Sequence, residues 1–235
     1  MTEHVKPLSN IGTKRRSIIL KAALKAFAEN GYKGASIQKI ADAAKLPKAN
    51  ILYYFASKKA LYSAVMQSIL SMWNSSFDNA NVDDCPAETL ARYIADKMEI
   101  SRQHPYSSKA FAIEIINGAD NLDSSFKHEH RQWVNSRISV INGWIDAGKM
   151  DRVDPEYLLY HIWASTQHYA DFSSQITQLR GKSMKQREFR DATCNVVSII
   201  LKGCGLEVPN EYVAKAPSNL AHSNEPQAAV KGELS

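Results

Sequence analysis

The sequence predicts an all-α fold of about nine helices, with a small N-terminal three-helix, helix-turn-helix unit and a larger helical domain behind it. Three observations predict it. Apolar residues recur three and four positions apart through most of the chain, the period of one buried helical face. No alternation of useful length for a strand appears, and no internal repeat is visible. Residues 36–62, SIQKIADAAKLPKANILYYFASKKALY, carry cap, break and cap signals at the spacing of three successive helices. The chain has 235 residues, 44% of them apolar, which is enough for a real core. No apolar run reaches the roughly 18 residues of a membrane span.

Residues 1–12 hold Pro, Ser, Asn and Gly without periodicity and read as a flexible arm. They lack the apolar segment of a secretory signal. The first helix is expected from about Thr13 to Asn30, with Ile18 or Ile19, Ala22, Ala23, Ala26 and Phe27 as its buried stripe and Gly31 as its stop. Ser36 can cap the second helix, whose buried face is Ile37, Ile40, Ala41 and Ala44. Lys45-Leu46-Pro47 breaks that pattern. Leu46 can plug the corner, and Pro47 suits the first turn of the helix at 48–55. Ser57 caps the next helix, which continues through Leu61, Val65, Ile69 and Trp73.

Residues 75–86 read as a loop. Further helices are expected at 86–103, with Leu90, Ile94 and Met98 on one face, and at 106–117, with Phe111 and Ile115. The next spans 123–147, carries Phe126, Trp133, Ile138 and Ile141, and stops at Gly148. Asp154-Pro155 opens a helix running to about residue 178. Ser183 with Gln186 forms a capping box for the last, at 183–203. Residues 207–235 have no apolar period and read as a disordered tail. The expected organisation is therefore an arm at 1–12, a reader at 13–60, a helical domain at 61–206 and a tail at 207–235.

The short helix at 48–55 suits DNA. A helix in the major groove needs polar side chains near its N-terminus to reach base edges, and Lys48 and Asn50 are there. Tyr53 and Tyr54 can reach phosphates through their hydroxyls while their rings pack on the domain. Lys58 stands at the start of the following helix, where free N–H groups and a cation both suit a phosphate. A solvated basic helix hairpin in an ordinary helical protein would look similar. The charge distribution adds to the DNA reading. Net charge is +5, but residues 1–60 carry +9 and the remainder −4. A basic end on a mildly acidic body is the footprint of a DNA-binding module joined to something that does not bind DNA. Cys85, Cys194 and Cys204 are scattered and odd in number, as expected of reduced thiols in a cytoplasmic protein.

The stretch Gly31-Tyr-Lys-Gly-Ala-Ser-Ile-Gln-Lys-Ile-Ala-Asp-Ala-Ala, followed by Ile51-Leu-Tyr-Tyr-Phe-Ala-Ser-Lys-Lys-Ala-Leu61, resembles the DNA-binding domain of the TetR family of bacterial repressors. The likeness spans roughly residues 13–73, and Tyr-Tyr-Phe-x-Ser-Lys-x-x-Leu is its specific part. Pro47 departs from it, since many members carry Ser or another small residue there. By this resemblance the DNA-binding positions are Ser36, Lys48, Asn50, Tyr53, Tyr54 and Lys58.

A second unusual stretch is Ile162-Trp-Ala-Ser-Thr-Gln-His-Tyr-Ala-Asp-Phe172. Trp163 and Gln167 lie four apart on one helical face, with Thr166 beside them. A buried Gln is costly unless both its carbonyl and its amide are satisfied. An apolar pocket with a few convergent polar groups is the usual design of a small-molecule site. The Gln amide matches a lactam edge, C=O beside N–H, and Trp163 or Trp73 could stack on a planar ring. The same residues also permit a plainer reading, with Trp163 in the core and Gln167 bonded to neighbouring backbone.

Taken with Lys97-Met-Glu-Ile-Ser-Arg102 and Asn142-Gly-Trp-Ile-Asp-Ala-Gly-Lys149, this stretch looks like the pyrimidine-utilisation regulator (RutR) subfamily of TetR proteins, over about residues 13–205. That resemblance implies a dimeric repressor released by uracil or thymine, with Trp73, Trp163 and Gln167 at ligand-site positions. Phe111 and Glu114 join them because a preceding helix of the family lines the pocket. It also implies a homodimer through the helices at 155–178 and 183–203, palindromic double-stranded operator DNA as partner, and no cofactor. A different flat aromatic or amide-containing metabolite is the alternative effector, and a helical enzyme or metal-binding protein the remote one. His128-Glu129-His130 alternates two histidines that point about 200° apart on a helix, which does not suit a shared metal. No Ser/His/Asp spacing, glycine-rich phosphate loop or paired-carboxylate motif supports catalysis.

Overall fold

The computed structural model describes residues 10–213. Ten α-helices run through them: α1 (Asn10–Gly34), α2 (Ile37–Ala44), α3 (Lys48–Tyr54), α4 (Lys58–Asn74), α5 (Pro86–Gln103), α6 (Pro105–Ile116), α7 (Ser124–Asp146), α8 (Pro155–Asp171), α9 (Ser173–Arg180) and α10 (Gln186–Gly203). A 3₁₀ turn at Asn210–Tyr212 follows. Ten helices among the described residues thus stand where about nine were expected. The helix expected at 155–178 is two, because Phe172 leaves helical geometry at φ −105°, ψ 24°. No glycine or proline marks that break, and the apolar period runs through it.

Local signals explain most boundaries. Ser36 Oγ accepts from Lys39 N at 3.2 Å and Ser57 Oγ from Ala60 N at 3.1 Å, so both expected caps form. Asp154 Oδ1 accepts from the amides of Glu156 and Tyr157. The Ser183–Gln186 box does not form. α10 starts three residues later, where the Glu188 carboxylate accepts from Lys185 N at 2.8 Å. α1 breaks at Gly31, where φ is 64°, then adds one further turn. It also starts earlier than expected, at Asn10, so the expected arm lies outside the described residues only over 1–9. At the other end, Leu206 is buried, and Val208 and Tyr212 pack against the core. Within the expected tail, Val208 and Tyr212 are thus packed while Glu207, Asn210, Glu211 and Val213 are exposed, and residues 214–235 lie outside the described residues.

The interior holds two apolar cores. The first joins α1–α3 to α4 and parts of α6 and α7, through Ile19, Phe27, Ile40, Ile51, Leu61, Val65, Ile69 and Trp73, with Ala110 and Phe126. Ile19 rather than Ile18 is the inward residue of α1. The second joins α5, α7, α8 and α10, through Leu90, Tyr93, Ile94, Ile141, Trp144, Leu159, Ile162, Val197 and Leu201. The loop after α4 is held down by α7. Trp133 Nε1 donates to Asp78 Oδ1 at 2.6 Å, Arg137 Nη1 to the carbonyls of Phe77 and Ala80, and Trp144 Nε1 to Asn81 O at 3.0 Å. α4 belongs to the first core along its whole length and hands the chain to the second, so it ties the reader to everything behind it.

Candidate DNA-reading surface and ligand site

The corner between α2 and α3 is closed by backbone hydrogen bonds. Leu46 N donates to Ala41 O at 3.0 Å and Lys45 N to Asp42 O at 3.1 Å, the two bonds of a Schellman motif. The left-handed residue of such a motif is usually Gly, and here it is Lys45, at φ 54°. Leu46 tucks partly into the first core, as the sequence suggested. α3 anchors there through Ile51, fully buried. Its outward residues are Lys48, Ala49, Leu52 and Tyr53, the last 81% exposed. Asn50 and Tyr54 are half-buried, and the Tyr53 and Tyr54 rings meet edge to face at 5.2 Å.

Ser36 and Lys58 also make local contacts. The Ser36 hydroxyl is the α2 cap. Lys58 Nζ lies 4.6 Å from the Tyr32 ring centre and donates to Lys33 O at 3.4 Å, closing α4 against the end of α1. Arg16 stacks over Phe55 at 5.2 Å from the other side. These cations brace a rigid three-helix platform whose exposed edge is α3.

The residues expected at the ligand site separate into two groups. Trp73 on α4 is buried and meets the Phe111 ring of α6 edge to face at 5.1 Å. Trp163 on α8 is half-buried and donates from Nε1 to the Tyr93 hydroxyl at 2.9 Å. Gln167 is half-buried one turn further along α8, and its amide bonds no other described residue. Thr166 faces elsewhere: fully buried, it donates to Ile162 O on its own helix at 2.7 Å. Glu114 is also committed. Its carboxylate accepts from the Tyr62 hydroxyl at 2.7 Å, Asn121 N at 2.8 Å and Asn121 Nδ2 at 3.0 Å. That network fastens α6 to α4 beneath the Phe27 and Tyr32 rings of α1.

Between Trp73 and Trp163 lies what the sequence reading passed over. Lys97 of α5 is 3% exposed. Its Nζ lies 4.7 Å from the Trp73 ring centre and 5.7 Å from that of Tyr93. Burial lowers its pKa to about 7, and the field of Asp171 offsets this only in part. Asp171, at the end of α8, has its carboxyl pKa raised by burial, against the opposing pull of Ser108, Lys109, His168 and Lys97. His130 of α7 sits between the Phe126 and Trp163 rings, and burial followed by the Lys97 charge lowers its pKa. Among the described residues four buried side-chain atoms lack a hydrogen-bond partner, and three of them, Ser108 Oγ, His130 Nδ1 and Asp171 Oδ1, belong to this cluster. Buried polar atoms are normally satisfied, so this concentration makes the cluster the candidate ligand site. His128, by contrast, is exposed, on the other side of α7 from His130.

Comparison with known proteins places this architecture. Residues 19–65 match the family model described as bacterial regulatory proteins, tetR family, and residues 66–207 match that of the YcdC-like protein C-terminal region. The chain belongs to the TetR family. It is 37% identical over 190 residues to the HTH-type transcriptional regulator RutR of Escherichia coli K12, covering 80% of this chain and 90% of that one. It is 28% identical over 137 residues to the HTH-type transcriptional repressor NicS of Pseudomonas putida, covering 58% of this chain and 64% of that one. Among solved structures, a transcriptional regulator from Streptomyces coelicolor superposes with a TM-score of 0.66 at 18% identity, over 82% of this chain and 99% of that one. AibR, solved with isovaleryl coenzyme A and operator DNA, gives 0.58 at 16% identity, over 79% and 97%, a likeness of fold.

This TetR-family chain is therefore a DNA-binding transcription regulator rather than an enzyme, and regulators of this kind bind operator DNA and small effectors. No helix among the described residues is long and apolar enough to cross a membrane. The residues that sequence reasoning missed were nonetheless marked. Lys97 falls on the same face of α5 as Leu90, Tyr93, Ile94 and Ser101, a cation where an apolar residue is due. Asp171 continues the four-residue stripe of Trp163 and Gln167.

Proposed function

We propose that this regulator is a repressor that binds a palindromic operator as a dimer and is released by a pyrimidine base such as uracil or thymine. The observation that carries the proposal is the half-buried, unengaged Gln167 amide on the same stripe of α8 as Trp163, next to a cluster of unsatisfied polar groups bounded by Trp73. A lactam ring would satisfy that amide and stack on an indole. The likeness to RutR over 80% of this chain supports the same class of effector.

In the dimer, α8 and α10 of two chains pack as a four-helix bundle. The exposed Tyr157, Tyr160 and Phe172 around α8 and Ile199 on α10 supply its apolar contacts. Each α3 then enters a major groove, with Lys48 and Asn50 toward the bases and Tyr53, Tyr54 and Lys58 toward phosphates, at centres ~34–36 Å apart. Effector bound between Trp73 and Gln167 favours a different tilt of α4, which carries the reader, and the half-site spacing changes. By linkage, operator weakens effector binding by the factor with which effector weakens operator binding.

The test is thermal melting against a panel of pyrimidines, purines and dihydropyrimidines, with operator binding measured alongside. A ligand at 100 times its Kd adds about 2.7 kcal/mol. A shift confined to uracil or thymine and lost in Gln167→Ala supports the reading. A shift by another flat amide alone moves the effector to that class, and a Gln167→Ala protein with normal response removes this residue from the site.

A further inference from the structure

We propose that the cleft between the α5–α6 corner and α9 is a second small-molecule site, apart from the candidate effector site, and that it takes a compact aromatic phosphomonoester. The cleft measures about 580 Å³, within the size range of small-molecule sites. None of Trp73, Lys97, Trp163, Gln167 and Asp171 lines it. Its charge sets it apart from its surroundings. Residues 61–235 carry a net −4, yet Arg102 and Lys109 line this cleft and no carboxylate does. A recess lined by one sign of charge concentrates ligands of the other.

Both cations have capacity left for a ligand. Glu99 holds the Arg102 side chain, accepting from Nε at 2.8 Å and Nη2 at 2.6 Å, while Nη1 makes no hydrogen bond among the described residues. Lys109 of α6 is half-buried and joins no ion pair among the described residues. The first turns of two helices line the same cleft, α6 at Pro105 and Tyr106 and α9 at Ser173 and Ser174, and neither start carries a side-chain cap. Uncapped helix starts bring N–H groups and positive potential to the same place as the cations. Phosphate answers that combination, since its oxygens accept from a guanidinium, an ammonium and amides at once. The remaining walls are aromatic. Tyr106 is half exposed, and the Tyr169 and Phe189 rings lie 6.0 Å apart. They offer faces and edges to a flat ring, which is why the anion is assigned an aromatic body.

Calorimetric titration of the full chain with phenyl phosphate, inorganic phosphate and phenol, each with and without excess uracil, tests this. Phenyl phosphate is expected to bind more tightly than the other two, equally well in both conditions. Arg102→Gln and Lys109→Gln should each weaken it roughly 10–100-fold, the range for one hydrogen bond to a charged group. Both variants should keep operator binding, which verifies folding, since neither residue lies in the reader. Phosphate can also settle on the basic reader, and binding there survives both substitutions. Unchanged affinity in both variants therefore overturns the site. Loss of phenyl phosphate binding in the presence of uracil overturns its separateness from the effector site. Inorganic phosphate or phenol binding as tightly as phenyl phosphate overturns the ligand class, and no binding of phenyl phosphate overturns the proposal whole.

Discussion

Replacing Lys97 with methionine should make the protein more stable, by an amount that depends on pH. In the folded chain the Lys97 pKa falls to about 7, from 10.5, because the ammonium is buried over Trp73 and Tyr93. Between those two values the unfolded chain binds a proton at this site that the folded chain does not, so stability rises with pH across the window. At 1.36 kcal/mol per tenfold change in proton affinity, the penalty on the folded state is on the order of 4 kcal/mol at pH 7 and about half that at pH 9. Methionine fills the volume without the charge. Its gain should follow the same profile: roughly 8–16 °C in Tm at pH 7 for a chain of this size, falling as pH rises. The facing groups are Asp171 on α8, His130 on α7 and Tyr93 on α5, with Lys109 and His168 beyond Asp171. His130 titrates below the window, since burial lowers its pKa. Asp171→Asn in both backgrounds removes the remaining coupled carboxylate. Chemical and thermal melts at pH 6.5, 8 and 9.5 decide the matter. A loss of stability, or a gain of equal size at all three pH values, would refute the view that a cation is held here at a cost.

Other substitutions test other parts of the molecule. Lys45→Gly should raise stability by about 1 kcal/mol, because glycine enters the left-handed region without the Cβ clash, and an unchanged melt would show that the corner is not strained at φ 54°. Gly143→Ala should lower stability by roughly 1–3 kcal/mol, since its Cβ would run into Val82 Cγ1; Val82→Ala should restore the melt. Lys48→Ala should weaken operator binding. If Lys48 reads a base, sequence preference relaxes with little change in salt dependence; if it meets only phosphate, the salt slope drops by about 1 and preference is kept. Glu114→Gln removes the charge accepting from Tyr62 and Asn121, and should cost about 1–3 kcal/mol in a urea melt.

The helical period and the caps at Ser36, Ser57 and Asp154 made most of the fold legible, because each is a local cause acting within a few residues. The break at Phe172 was not legible: one residue changes geometry while the apolar pattern continues on both sides. Packing also overrode composition at 207–213, where Val208 and Tyr212 reach back to the second core. At the candidate site, the tryptophans and Gln167 stood out because large indoles and a neutral amide share a face. Lys97 and Asp171 did not, because a charged residue in an amphipathic helix is ordinarily read as solvent-facing. Only the turn of α5 against α4 and α8 puts the Lys97 ammonium over Trp73. Glu114 shows the reverse case. Its family position suggested the pocket, but Tyr62 and Asn121 had already taken up its carboxylate.

The distribution of satisfied and unsatisfied groups connects stability to regulation. Elsewhere among the described residues, Ser76 Oγ excepted, the interior answers its polar groups: Arg137 with two carbonyls, Glu114 with three donors, Ser101 with Thr166 O at 2.9 Å. The unanswered groups gather where the two cores meet. Lys97 lies over Trp73 of one core and Tyr93 of the other, and His130 lies between Phe126 of the first and Trp163 of the second. A molecule that answers these groups gains most in the arrangement of cores that best closes around it. It can therefore shift the population of arrangements only as far as it binds one better than another. The core that moves with Trp73 is the one that holds α1–α3. Satisfying the seam and re-aiming the DNA reader would then be a single packing event, and a Lys97→Met protein that is more stable yet deaf to effector would be its signature.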